Sequence, residues 1–110
     1  MEHEFIPKWK SQLKKGSLPF IVMLFLSKEE LYGYELIERM KDLVDIQIAE
    51  GTLYPLLNRL KTEDLLNSKW VEQDTGLPRK YYFLTDKGKL VLDEMKLHWV
   101  ELSSGLNKIQ

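Results

Sequence analysis

The chain has 110 residues, a hydrophobic fraction of 44%, a charged fraction of 30% and a formal net charge of −1. That length points to a single domain with a small core, and the composition is that of a soluble globular chain, not a disordered one. The absence of cysteine excludes a disulfide framework and thiolate metal sites and suits a reducing cytoplasm, while the longest apolar run, residues 18–26, is too short to span a membrane, and no signal segment is expected at the start.

Ile6, Trp9, Leu13, Gly16 and Phe20 recur at alternating spacings of three and four, which predicts a first helix with one apolar seam. Gly16, Ser17 and Pro19 interrupt it. Either Ser17 caps a second helix with Pro19 in its first turn, or one long helix kinks there. Residues 18–26 are apolar nearly all round and belong at the buried centre. "YGYELIERMKDLV" predicts the next helix, with Leu36, Ile37, Met40 and Leu43 or Val44 facing inward. Gly33, at its start, suggests a close approach or an unusual backbone angle. "EGTLYPLLNRL" opens a further helix over about 50–65, in which Leu53, Leu56, Leu57 and Leu60 form one buried stripe. Pro55 falls in or just after its first turn, where backbone donors have no helical partner and a proline costs little.

The period then changes. "LLNSKWVEQDTGLPRKYYFLT" is rich in aromatic and β-branched residues around a turn cluster at 74–78, which predicts a hairpin over about 67–85. Thr85 is placed to cap a last helix over about 86–108, with Asp86 in its first turn. Along that helix Leu92, Met95, Trp99, Leu102, Leu106 and Ile109 keep a 3-4-3-4-3 spacing, the seam of a coiled coil. Leu90, Leu97 and Val100 lie on other faces and are expected to pack on the domain. The seam either folds back on the first helix or meets a second subunit. A domain this small has little core with which to cover two faces, so a homodimer is the expectation. Its interface would combine Trp9, Leu13, Leu92, Met95, Trp99, Leu102 and Leu106. Helices followed by a β-hairpin give a mainly α fold class: a winged helix-turn-helix over about 5–85, then a long C-terminal dimerisation helix.

The outward side of the 50–65 helix displays Gly51, Pro55, Asn58 and Thr62, flanked by Thr52, Tyr54 and Arg59. This face is polar, mostly uncharged and compact at its leading end, as suits a recognition helix entering the major groove. Asn pairs with adenine, Thr touches a thymine methyl, and Arg takes guanine or phosphate. Arg79 and Lys80 sit beside the hairpin turn, where a wing reaches phosphate or the minor groove. Against this stand the negative net charge, a pI near 6.1, and Glu72 and Asp74 on the same wing. The competing reading is a winged helix that binds another protein and not DNA. An enzyme has little support: the histidines are His3 and the surface residue His98, and no nucleophile motif, phosphate loop, cofactor site or metal-ligand spacing is present.

"LYGYEL", "EGTLYPLLNRLKTEDLL" and "LPRKYYFLTDKGKL", in that order, resemble the PadR family of bacterial transcriptional regulators over nearly the whole chain. The length and single C-terminal helix are similar to its small subfamily. The resemblance implies a homodimer on double-stranded DNA with an inverted-repeat operator, usually a repressor of its own or a neighbouring transporter or detoxification gene. It implies that Tyr34, Gly51, Thr52, Tyr54, Pro55, Asn58 and Arg59 face DNA and that Arg79 and Lys80 are wing contacts. Some small members hold flat aromatic molecules between paired tryptophans, and Trp99, with Met95 beside it, occupies the matching place; core packing of Trp99 against its symmetry mate is the equal alternative. Two positions depart from the family pattern: Asp64, where many members have glycine, and Pro19, in a helix that many keep straight.

Overall fold

The computed structural model describes residues 4–110; His3 lies outside the described residues. In chain order the elements are α1 (Phe5–Lys28), β1 (Leu31–Tyr32), α2 (Gly33–Val44), α3 (Glu50–Thr62), β2 (Leu66–Val71), β3 (Arg79–Leu84) and α4 (Asp86–Ile109). The strands form one antiparallel sheet in the order β1-β3-β2. β3 is central: Leu31 pairs with Tyr82 on one side, and Ser68 pairs with Tyr82 on the other. The fold is mainly helical with a small winged sheet, as the sequence predicts, and no described helix is long and apolar enough to cross a membrane.

α1 is one continuous helix. Ser17 caps nothing: its hydroxyl donates to the Leu13 carbonyl at 2.7 Å, one turn back. Pro19 removes one rung of the ladder. The helix nevertheless continues, because Leu18, Val22, Met23 and Leu26 are all buried beyond the proline and their packing outweighs one lost bond. The core that they enter is completed by Leu31, Leu36, Met40, the leucine stripe of α3, Leu66, Tyr82, Leu84 and Leu92.

Three expectations are corrected. Leu43 and Val44 do not belong to the inner face of α2; both are exposed, and the buried positions of that helix end at Met40. Leu90, Leu97 and Val100 do not pack on the domain but are exposed. Leu92 is only 2% exposed and belongs to the protomer's own core, so it leaves the proposed dimer interface. The side of α4 that the domain covers is the first part of the seam itself: Gly88 and Leu92 buried, Val91 and Met95 partly so. Farther along, Trp99 meets Phe20 of α1 with ring centroids 5.7 Å apart, and Leu102, Leu106 and Ile109 are left exposed.

α3, the wing and α4 are tied at one junction. α3 stops at Thr62, and Asp64 takes a left-handed backbone with φ 63°, the conformation for which glycine is the ordinary choice. The Thr85 hydroxyl donates to the Asp64 carbonyl at 2.6 Å and accepts from the Gly88 N–H at 2.9 Å, capping α4 as predicted. The Thr85 N–H donates to the Leu65 carbonyl at 3.1 Å. A side chain at Gly88 would overlap that same carbonyl, whereas one at Gly33 would meet only the far end of the Tyr54 ring. Gly88→Ala is therefore expected to destabilise the protein by about 1–3 kcal/mol, since backbone on both sides must shift, and Gly33→Ala by less. Urea unfolding of the two variants measures the order.

Candidate nucleic-acid interface

α3 presents two different surfaces. Leu53, Leu56, Leu57 and Leu60 are buried as predicted, and Gly51, Thr52, Tyr54, Pro55, Asn58, Arg59 and Thr62 are exposed. Its N-cap is Ala49, which has no side chain to cap with; the Thr52 and Leu53 N–H groups both donate to the Ala49 carbonyl at 3.0 Å. Pro55 stands just after the first turn, as expected, but not among the backbone donors that lack a partner. α3 begins at Glu50, which makes Pro55 its sixth residue, past the unpartnered donors of the first turn. The proline thus deprives the Gly51 carbonyl of its helical donor, a loss that water can repair because both residues are exposed. The space where a Gly51 side chain would stand is empty, so another molecule can approach the backbone there.

The flanking groups differ in availability. Tyr54 is only 37% exposed, because its ring end lies over Gly33, the close approach that glycine at this position suggested. Burial, and then the Glu50 charge, pushes its phenol above the ordinary value. Burial likewise raises Tyr82, with Tyr54 adding to the shift. Tyr54 thus helps to dock α3 against α2. Tyr34, at the start of α2, is exposed, and its hydroxyl, hydrogen-bonded to Glu38, is held above the usual range. Arg59 lies 4.0 Å from Glu63, an exposed pair that leaves it mobile enough to take another anion. Asn58 keeps its side-chain amide open, and only its carbonyl is engaged, by the Thr62 hydroxyl at 2.9 Å.

The wing is anchored to α3 through Lys61, whose ammonium donates to the Ser68 hydroxyl at 2.8 Å. Its turn contains Gly76 at φ +85°, a left-handed angle that glycine adopts without cost. Arg79 and Lys80 open β3 at the base of this turn, on opposite faces of the strand. The Arg79 guanidinium lies over the Tyr32 ring at 4.6 Å, and the Lys80 ammonium lies 5.6 Å from the ring of Trp70, its cross-strand partner. Neither aromatic partner was singled out from the sequence. β1 is two residues long, too short for any period, so nothing marked Tyr32 as a neighbour of the wing; Trp70 could have been found from the hairpin pairing. Lys14 donates to the Gln47 carbonyl at 3.2 Å, linking α1 to the turn before α3.

Away from this face, an open groove of about 270 Å³ runs between α1 and α4, bordered by Gly16, Phe20, Met95, Trp99 and Leu102. His98 is exposed and faces Glu101 at 3.3 Å. Among the described residues no cluster of acidic residues or histidines could hold a metal ion.

A helix pair followed by a small sheet, with the mostly uncharged exposed face of α3 beside a hairpin that carries two cations stacked on aromatic rings, is the winged helix-turn-helix plan. Residues 22–94 match the transcriptional regulator PadR-like family, and the chain belongs to that family. It is accordingly a regulator of transcription and not an enzyme. A PadR-like transcription factor from Bacteroides fragilis is 47% identical, with 94% of this chain and 99% of that one covered and a TM-score of 0.78. A PadR family regulator from Eggerthella lenta is 37% identical, with 96% and 92% covered and a TM-score of 0.84. Bacillus subtilis PadR, solved in complex with operator DNA, is 30% identical over 71% of this chain and 45% of that one, with a TM-score of 0.66.

Proposed function

We propose that the protein acts in the cytoplasm as a homodimer, binds an inverted-repeat operator and represses its own gene or a neighbouring transporter or detoxification gene. The observation that carries this reading is the exposed Gly51–Pro55–Asn58 face of α3, flanked by Arg59 and standing beside Arg79 and Lys80. Small residues at the leading end allow α3 deep into the major groove, Asn58 offers both a donor and an acceptor to an adenine edge, and the wing cations take phosphates. The operator complex of Bacillus subtilis PadR supports the same use of this fold. The exposed apolar residues Trp9 and Leu13 on α1 and Trp99, Leu102 and Leu106 on α4 support the dimer, since two helices bearing bare apolar stripes gain stability by burying them together.

Selection of binding sites from random DNA duplexes tests the reading. The wild-type protein should enrich an inverted repeat. Asn58→Ala should fold normally, because its side chain is exposed, and should lose preference at particular base pairs, at a cost of about 1–3 kcal/mol on the preferred site. Recovery of unenriched sequence by the wild-type protein would contradict DNA recognition, and an unaltered preference in the variant would remove Asn58 from the base-reading set.

The groove beside Trp99 and Met95 is, in the same proposal, where a planar aromatic effector acts. A ligand inserted there shifts DNA affinity only by binding one dimer geometry better than another. A planar hydrophobic dye should quench tryptophan fluorescence and weaken operator binding, and both effects should disappear in Trp99→Phe, which retains Trp9 and Trp70 as emitters. Quenching that persists in the variant, or that leaves operator affinity unchanged, places the effector elsewhere.

A further inference from the structure

The chain has three arginines, and two of them face carboxylates. Arg39 lies 3.2 Å from Glu29, whose hydrogen bond raises the guanidinium pKa, and Arg59 lies 4.0 Å from Glu63. Among the described residues the Arg79 side chain is in no ion pair and no hydrogen bond; its partner is the Tyr32 ring, 4.6 Å from the guanidinium carbon. Tyr32 is itself fixed from several directions. It pairs with Tyr81 across the sheet, and the two rings meet edge to face at 5.3 Å and 67°. Its N–H donates to the Glu35 carboxylate at 3.2 Å, in the first turn of α2. Arg79 is two residues along β3 from Tyr81, so it stands on the same face of the sheet as a diagonal neighbour of Tyr32.

We propose that Tyr32 is a positioning residue for Arg79: its ring holds the guanidinium at the base of the wing, ready for a DNA phosphate, and keeps it in register with α2. The inference rests on the DNA-binding reading above. A carboxylate partner would neutralise the charge and occupy the fork of donors. An aromatic partner attracts the cation through its quadrupole and leaves both charge and donors for an anion. A guanidinium held in advance also loses less rotamer freedom when the phosphate arrives. Tyr32 immediately precedes α2, so the place at which the wing grips the backbone is set by the helix pair that carries α3. The ring and not the hydroxyl is the working part.

Salt titrations of binding to a fluorescent mixed-sequence DNA duplex test this with Tyr32→Leu, Tyr32→Phe, Arg79→Ala and the double variant Tyr32→Leu/Arg79→Ala. Arg79→Ala should reduce the slope of log affinity against log salt by about 0.9, one phosphate contact. Tyr32→Leu should weaken binding about three- to tenfold when Arg79 is present and have no effect when it is absent, and Tyr32→Phe should match the wild type. Should the leucine variant fail to fold, a Tyr32→Phe series with progressively fluorinated rings keeps the shape and weakens the quadrupole, and affinity should fall stepwise only with Arg79 in place. Equal losses with and without Arg79, or an affinity that stays flat across the fluorinated series, overturns the positioning role. Absence of salt-dependent binding by the wild-type protein appears in the same titration before any variant is compared; it defeats the proposed function and the role of Tyr32 with it.

Discussion

The carbonyls of Asp64 and Leu65 hold the two halves of the molecule together. Both are bonded to Thr85, one through its hydroxyl and the other through its amide, and the same hydroxyl caps α4 through Gly88. α3 ends, β2 begins, β3 ends and α4 begins within a few residues of this point. Lys87 adds a bond to the Glu63 carbonyl at 3.1 Å. The last carbonyls of α3 accept from the Glu63, Asp64 and Leu65 amides, and the carbonyls that follow, Glu63 to Leu65, find their donors at the start of α4. The direction of α4 is thereby fixed to that of α3. The left-handed Asp64 turn and the bare Gly88 surface serve the same closure: one turns the chain, and the other admits the carbonyl.

That coupling gives a small chain a way to act at a distance. Leu102, Leu106 and Ile109 stand exposed beyond Trp99, far along α4 from the junction, while the proposed reading surface lies on α3. In the proposed dimer, a rearrangement of paired α4 helices would be passed to each α3 through the hydrogen bonds at Thr85. The electrostatics follow a similar economy. The net charge is −1, yet the exposed face of α3 has Arg59 as its flanking charge, and Arg79 and Lys80 are gathered at the wing, each stacked on an aromatic ring. A few placed cations steer a phosphate backbone where a uniform positive charge is absent.

Much of this plan was legible in the sequence. The leucine stripe of α3 has helical period and is buried as a stripe, the hairpin announced itself by the turn cluster at 74–78, and Thr85 caps as its position suggested. The misreadings share a cause: periodicity identifies a face but not what covers it. Leu92 and Leu106 belong to one unbroken seam, yet the first is spent on the protomer's core and the second is bare. Leu43 and Val44 continue the apolar pattern of α2 beyond its buried part, onto the rim of an open groove beside Ile21, Leu24 and Phe25 of α1. Pro19 leaves a break or a kink equally open in the sequence, because the cost of a proline is local, whereas the packing that keeps α1 whole comes from residues distant in the chain. β1 and its Tyr32 were invisible, since a two-residue strand exists only through its pairing with β3. At the candidate site, the exposed set on α3 follows directly from the helical period, but the docking of Tyr54 over Gly33 and the stacking of Arg79 depend on contacts between elements.

In the proposed dimer two copies, joined through the exposed residues of α1 and α4, hold two α3 helices where successive turns of a DNA groove can receive them. Hydroxyl-radical footprinting of the wild-type protein on its selected duplex tests this most directly. Such a dimer should give two protected half-sites related by a two-fold axis and centred about 10–10.5 base pairs, or a multiple of that, apart. A single protected half-site, or protection without two-fold symmetry, would contradict it.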